Sequence, residues 1–228
     1  MNKLSSAILM LFVSFALSAQ TNNSYSSSAD SDPEAKAILT EIRNKYDSYK
    51  TLSVDFSMNI QLADQPAEAQ NGSLIRQADK YFMTLGDMEV LCNGEAIWFI
   101  LKNNREVQIN PMPDPSEQGS LILSPDALFN FYDKGSFVYA LANETLENGV
   151  RVQQIEFKPL DKNSEYAKLR LTVNKSTRDI VSVFALGKDG SRYTLQVSKF
   201  TPNKSLAADT FVFNPAKYQG FHIEDLRY

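Results

Sequence analysis

The 228-residue chain contains one Cys, one His and one Trp, and its formal net charge is −4. A single Cys cannot close an internal disulfide or supply a Cys-rich metal site. A single His leaves a multi-His zinc site without ligands. The negative balance argues against a binder of phosphate backbones, which needs a basic face. No glycine-lysine nucleotide loop occurs. Downstream of the N-terminus, no run reaches the roughly 18 apolar residues that a membrane helix needs. What is present is an ordinary globular balance, 43% hydrophobic and 22% charged, with 14 Phe and 10 Tyr.

The N-terminus reads as an export signal. Lys3 gives a short basic start, residues 4–17 are mostly apolar, and Ala16-Leu17-Ser18-Ala19 offers small residues for cleavage near Gln20. That pattern is a secretory signal peptide over 1–19, with cleavage after Ser18 nearly as good. Cys92 lies far from this point, so the chain is not expected to carry a lipid anchor of its own. Residues 20–31 are rich in Ser and Asn and read as a flexible lead-in. Residues 32–228 then read as one domain.

Asp32-Pro33 starts that domain as an N-cap followed by Pro at the first helical position. Ile38, Leu39, Ile42, Tyr46 and Tyr49 share one face at helical spacing, which predicts an amphipathic helix over 33–50. The period then changes to two. Val54, Phe56, Met58, Ile60 and Leu62 alternate with Asp55, Ser57, Asn59 and Gln61, the mark of a half-buried antiparallel strand. Further strands are expected at 72–77, 80–86, 88–92, 96–102, 105–110, 137–141, 150–158, 168–173, 180–186 and 193–200. Asn93-Gly94 and Asn103-Asn104 mark hairpin turns among the earlier strands, and Asn148-Gly149 and Asp189-Gly190 among the later ones. Within 150–158 the apolar phase slips from Val150 and Val152 to Ile155 and Phe157, which predicts a bulge there. A short closing strand is expected at 211–213.

The segment 111–124 contains Pro111, Pro113 and Pro115 and cannot be a strand. Ser124-Pro125-Asp126 begins another helix, with Leu128, Phe129, Phe131 and Tyr132 on it and Gly135 as its stop. A long loop and a short apolar helix inserted in mid-sheet suggest a lid. Catalytic groupings are scarce. His222 beside Glu224 and Asp225 reads as a histidine of a surface tail, because no second His completes a site. Cys92 ends a strand and reads as a small buried hydrophobe rather than a nucleophile. The chain is expected not to be an enzyme and to need no cofactor.

At this point the residues carry a resemblance. Residues 92–100 (CNGEAIWFI) resemble the "DGKxLWxY" hairpin of the LolA-type periplasmic lipoprotein carriers. Val54-Asp55-Phe56 matches that family's first strand, Gly72-Ser73-Leu74-Ile75 its "GxLxV" strand, residues 180–197 its late hairpin, and Phe211-Val212-Phe213-Asn214-Pro215 its closing "FxFxPP" step. The order holds over nearly the whole chain after the leader. The resemblance implies a mainly β fold with helices (α+β). It would be a curved antiparallel half-barrel of about eleven strands, closed by an N-terminal helix and a lid helix. It implies a monomer in the periplasm that takes outer-membrane lipoproteins from an inner-membrane lipoprotein-releasing ABC transporter and passes them on, with an outer-membrane acceptor as a further partner. Its acyl-binding residues would be Phe56, Met58, Leu74, Phe82, Trp98, Leu128 and Phe129.

One departure stands out. Where the family has an Arg-Pro pair that holds the lid, this chain has Ala78-Asp79. Arg76, two residues earlier and on the same side of a continuing strand, either takes that latch role or faces solvent at a loop edge, and Lys80 is a third option. The alternative reading is an envelope-stress sensor of the same fold, which would bind a regulatory membrane protein. A lipid-anchored acceptor is disfavoured by the missing lipid-attachment Cys.

Overall fold

A computed structural model describes residues 27–112 and 135–227. The expected signal peptide, most of the expected lead-in, and the expected lid helix with Leu128 and Phe129 therefore lie outside the described residues.

The described chain has one α-helix, α1 (Pro33–Asp47), and twelve strands. In order these are β1 (Leu52–Gln61), β2 (Glu68–Gln77), β3 (Lys80–Leu85), β4 (Met88–Cys92), β5 (Ala96–Leu101), β6 (Glu106–Pro111), β7 (Phe137–Glu147), β8 (Val150–Pro159), β9 (Tyr166–Asn174), β10 (Ile180–Gly187), β11 (Arg192–Pro202) and β12 (His222–Asp225). All twelve form one sheet in the order β12-β6-β5-β4-β3-β2-β1-β11-β10-β9-β8-β7. Its edges, β12 and β7, do not pair, so the sheet is open. Each neighbour pair is antiparallel except β12 with β6, which is parallel. The sheet is thus one strand larger than expected and not purely antiparallel.

The helix forms where its signals put it. The Asp32 carboxylate accepts from the Glu34 N–H at 2.8 Å, Pro33 follows as the first helical residue, and Ala35, Ile38, Leu39, Ile42 and Tyr46 are buried on one face. Complete burial of a Leu or Ile side chain is worth about 1.5–3 kcal/mol. This stripe therefore holds α1 against the sheet more firmly than helix propensity could.

The expected bulge in β8 is not there. The extra residue is Ala142 of the facing strand, between the pairs Leu141↔Ile155 and Asn143↔Gln154. The phase slip seen in β8 is burial on both faces, since the neighbours Val152 and Gln153 are both buried. Ser198 is a second extra residue, opposite the Asp55–Phe56 step of β1, and its hydroxyl donates to the Asp55 carbonyl at 2.9 Å. Bulges of this kind bend strands.

The closing strand expected at 211–213 is also absent. Phe211 ends a turn, and Phe213 leads to a 3-10 turn at Pro215–Tyr218. These rings do not extend the sheet; they pack on its back. Residues 203–221 bring Leu206, Phe211, Phe213, Tyr218 and Phe221 onto Ile75, Phe82, Leu91, Trp98 and Ile109. Phe213 stacks between Trp98, at 5.4 Å, and Tyr218, at 5.5 Å. The Tyr218 hydroxyl donates to Glu89 at 2.8 Å. β5 is consequently buried on both faces, which explains its unbroken apolar run AIWFIL.

Two outcomes are expected. Gly72 lies opposite Phe56, and a Cβ there would sit 2.4 Å from the Phe56 ring and 2.6 Å from the Thr84 carbonyl. Gly72→Ala should therefore destabilise the fold by about 1–3 kcal/mol in denaturant titration, through overpacking. Phe213→Ala should cost about 1–3 kcal/mol and shift the emission of the single Trp to the red, because it uncovers the Trp98 ring.

Candidate functional site

The face that receives α1 is apolar across nearly the whole sheet. Register decides which side chains share it. Phe200, Val54, Leu74, Met83, Val90 and Phe99 form one cross-strand row from β11 to β5. Met58, Leu195, Val183, Leu171, Ile155 and Leu141 form a second, from β1 to β7. With α1 these rows make one continuous cluster.

α1 crosses this face on one side. It starts at β7, where the Asp32 N–H donates to the Tyr139 carbonyl at 2.9 Å and the Asp32 carboxylate accepts from the Leu141 N–H at 3.1 Å. It ends where the Tyr46 hydroxyl accepts from the Ile180 N–H at 3.0 Å and the Tyr46 ring meets Phe200 edge-on at 5.0 Å. Arg178 ties the middle of the helix down, donating to Glu41 and Gln153 at 2.6 Å each. Fifteen residues of helix span about 22 Å, whereas twelve strands at about 4.8 Å spacing span more than twice that. α1 is therefore anchored over the β7–β1 side, while Met83, Leu85 and Val90 of β3 and β4, beyond its end, are buried in the same cluster.

The expected site residues do not all meet. Phe56, Met58 and Leu74 lie on the helix side and are buried in its cluster. Phe82 and Trp98 lie on the back face, paired through Leu91 and covered by the C-terminal segment. They cannot line one pocket with Phe56, Met58 and Leu74, a correction that follows from strand parity: a one-residue step reverses the face. Leu128 and Phe129 lie outside the described residues. Residues that the sequence did not single out, Met83, Leu85, Met88, Val90 and Phe99, take the places on the helix side. The alternation Tyr81, Met83, Leu85 in β3 was the available signal.

Arg76 is on the helix side, opposite Leu52. It is half-buried and its guanidinium donates to the Tyr46 carbonyl at 3.3 Å. A cation on the last turn of α1 is favourable both as a donor and against the helix dipole. Arg76 is therefore not a solvent-facing loop-edge residue. Cys92 is fully buried, its thiol donates to the Asp79 carbonyl at 3.4 Å, and burial raises its pKa. A thiol held neutral in this way packs as a small hydrophobe. His222 is exposed on β12, and its backbone N–H donates to the Arg105 carbonyl at 2.8 Å.

Burial also raises the phenols of Tyr46 and Tyr81 above the ordinary tyrosine range. In the folded chain these phenols hold their protons at pH values where the unfolded chain, with tyrosines near pKa 10, loses them. Their contribution to stability is thus complete below about pH 10 and is lost as the pH rises further. The denaturant midpoint should fall between pH 9 and pH 11, and Tyr46→Phe should reduce the fall. The same variant should cost about 1–3 kcal/mol at neutral pH, because the Ile180 N–H loses its buried acceptor.

The sequence matches no protein-family model and no curated protein. Among solved structures, the chain is similar to an uncharacterized conserved protein from Thermus thermophilus, at 11% identity over 84% of this chain and 99% of that one, with a TM-score of 0.55. It is similar to LprF from Mycobacterium bovis at 15% identity over 81% and 98% of the two chains, with a TM-score of 0.47. It is also similar to a LolA superfamily protein from Nitrosomonas europaea at 12% identity, over 78% and 97%, with a TM-score of 0.44. At these identities the likeness concerns the fold, and the Thermus structure carries it: the open sheet matches that relative over almost its whole chain.

Proposed function

We propose that this chain is a periplasmic carrier that shelters the acyl chains of lipoproteins between the inner and outer membranes, and that it binds rather than catalyses. The observation that supports this most is the width of the apolar helix-side face relative to α1. α1 is anchored on the β7–β1 side, and the apolar cluster it joins continues past its end through Met83, Leu85 and Val90 on a sheet that bulges allow to bend. In this reading the sheet curves into a half-barrel, and Phe56, Met58 and Leu74 face the cargo from the floor.

Physical chemistry explains the need. Burying acyl chain is worth about 0.8 kcal/mol per CH₂, so a chain of about sixteen carbons cannot leave a membrane for water on a useful timescale without shelter. Extraction needs an external energy source, here an inner-membrane ABC transporter, and delivery needs a tighter acceptor at the outer membrane. Arg76 acts as the latch in this scheme: its guanidinium already meets the carbonyl at the end of α1, and it biases the balance between closed and loaded states.

The full chain is purified from a membrane-containing extract with the transporter co-expressed and weighed intact by native mass spectrometry. A bound species with the mass of an acylated lipoprotein is expected. An extract that yields only the bare chain would contradict the proposal.

A further inference from the structure

At the hairpin end of the helix-side face, a cleft of about 270 Å³ opens between the β3–β4 and β5–β6 turns. Its floor is Leu85, Met88 and Leu101, which align with Phe56 and Gly72 across the sheet. The floor therefore continues the row of Phe56 and Gly72 and joins the apolar cluster on the helix side. The rim is polar: Gln70, Asp87, Lys102, Asn103 and Asn104.

The rim's charges decide what suits it. The ammonium of Lys102 is held by Glu89 at 2.6 Å. Glu89 pairs with Thr84 and Ile100 and is bonded by Tyr218 of the C-terminal segment, so it faces the back of the sheet and draws the Lys102 ammonium from the rim towards that side. Asp87 accepts from the Asn103 side chain at 2.8 Å and is exposed. An anionic head in the cleft would face the Asp87 carboxylate with no free cation among these lining residues to meet it. A head of esters and amides would instead find the carboxamides of Gln70 and Asn104.

We propose that this cleft is the doorway of the apolar face, and that it takes the neutral ester- and amide-bearing head of an acylated peptide in preference to the anionic head of a fatty acid or phospholipid. This rests on the carrier reading and specifies its ligand: the acyl chains run inward over Leu85 and Met88 towards Phe56, and the head and peptide leave between the two turns. Asp87 is the selecting residue, acting by like-charge repulsion.

Calorimetry on the full chain compares an N-stearoyl peptide amide with stearate at neutral pH, in the parent and in Asp87→Asn. Asn keeps an acceptor for Asn103 at an exposed turn, so the variant retains its fold, and its thermal melt checks this. The parent should bind the lipopeptide at least about tenfold tighter than stearate. Asp87→Asn should narrow that gap about five- to tenfold by strengthening stearate binding alone. Equal affinities in the parent, or a gap unchanged in Asp87→Asn, would overturn the doorway while leaving acyl binding intact. Failure of both ligands to bind would overturn the doorway and the carrier reading together.

Discussion

The structure depends on one constraint: a wide sheet with an apolar face must cover that face along its whole width. α1 does so for the β7–β1 side, anchored at Tyr139, Leu141, Arg178, Ile180 and Phe200. Beyond its end the face remains apolar through Leu74, Met83, Val90 and Phe99. Leu74, Met83 and Val90 are buried there in the same cluster as α1. The short helix is fixed in place by its cap, its Tyr46 hydroxyl and the Arg178 bonds.

The back of the sheet resolves the same problem differently. Residues 203–221 lie across β3–β6 with a stacked series of rings, Trp98, Phe213 and Tyr218, and β12 then closes the outer edge beside β6. This face is filled by its own chain. Part of the chain's aromatic content is therefore packing on the back and not lining on the helix side. The asymmetry separates a face filled by the C-terminal segment from the face that carries α1, and the proposed carrier reading assigns the cargo to the latter.

The helix, eleven of the twelve strands and most of their bounds were legible in the sequence, because alternation of period two and Asn-Gly turns state them locally. Gly72 was legible only as part of a motif; its reason, the Phe56 ring lying where a Cβ would go, is a cross-strand contact. Phe82 and Trp98 could not be placed from sequence. Their strands are apolar at consecutive positions, so alternation does not say which face a given residue takes, and only the register through Leu91 does. β12 was invisible because its four residues are all exposed and carry no apolar pattern. Arg76 was legible as a residue in need of acceptors, but not its partner on α1, which lies 30 residues earlier in the chain.

The chain's own side chains offer the most direct test of the two-faced account. Met58, Met83 and Met88 lie on the helix side, whereas Trp98 lies on the back, with its buried indole N–H meeting no hydrogen-bond partner among the described residues. Methyl resonances of labelled methionines and the single indole resonance can be followed together while a synthetic triacylated lipopeptide is added to the full chain. Shifts at Met58, Met83 and Met88 with the indole signal unchanged are expected. Shifts at the indole alone, or none at all under saturating lipopeptide, would contradict it.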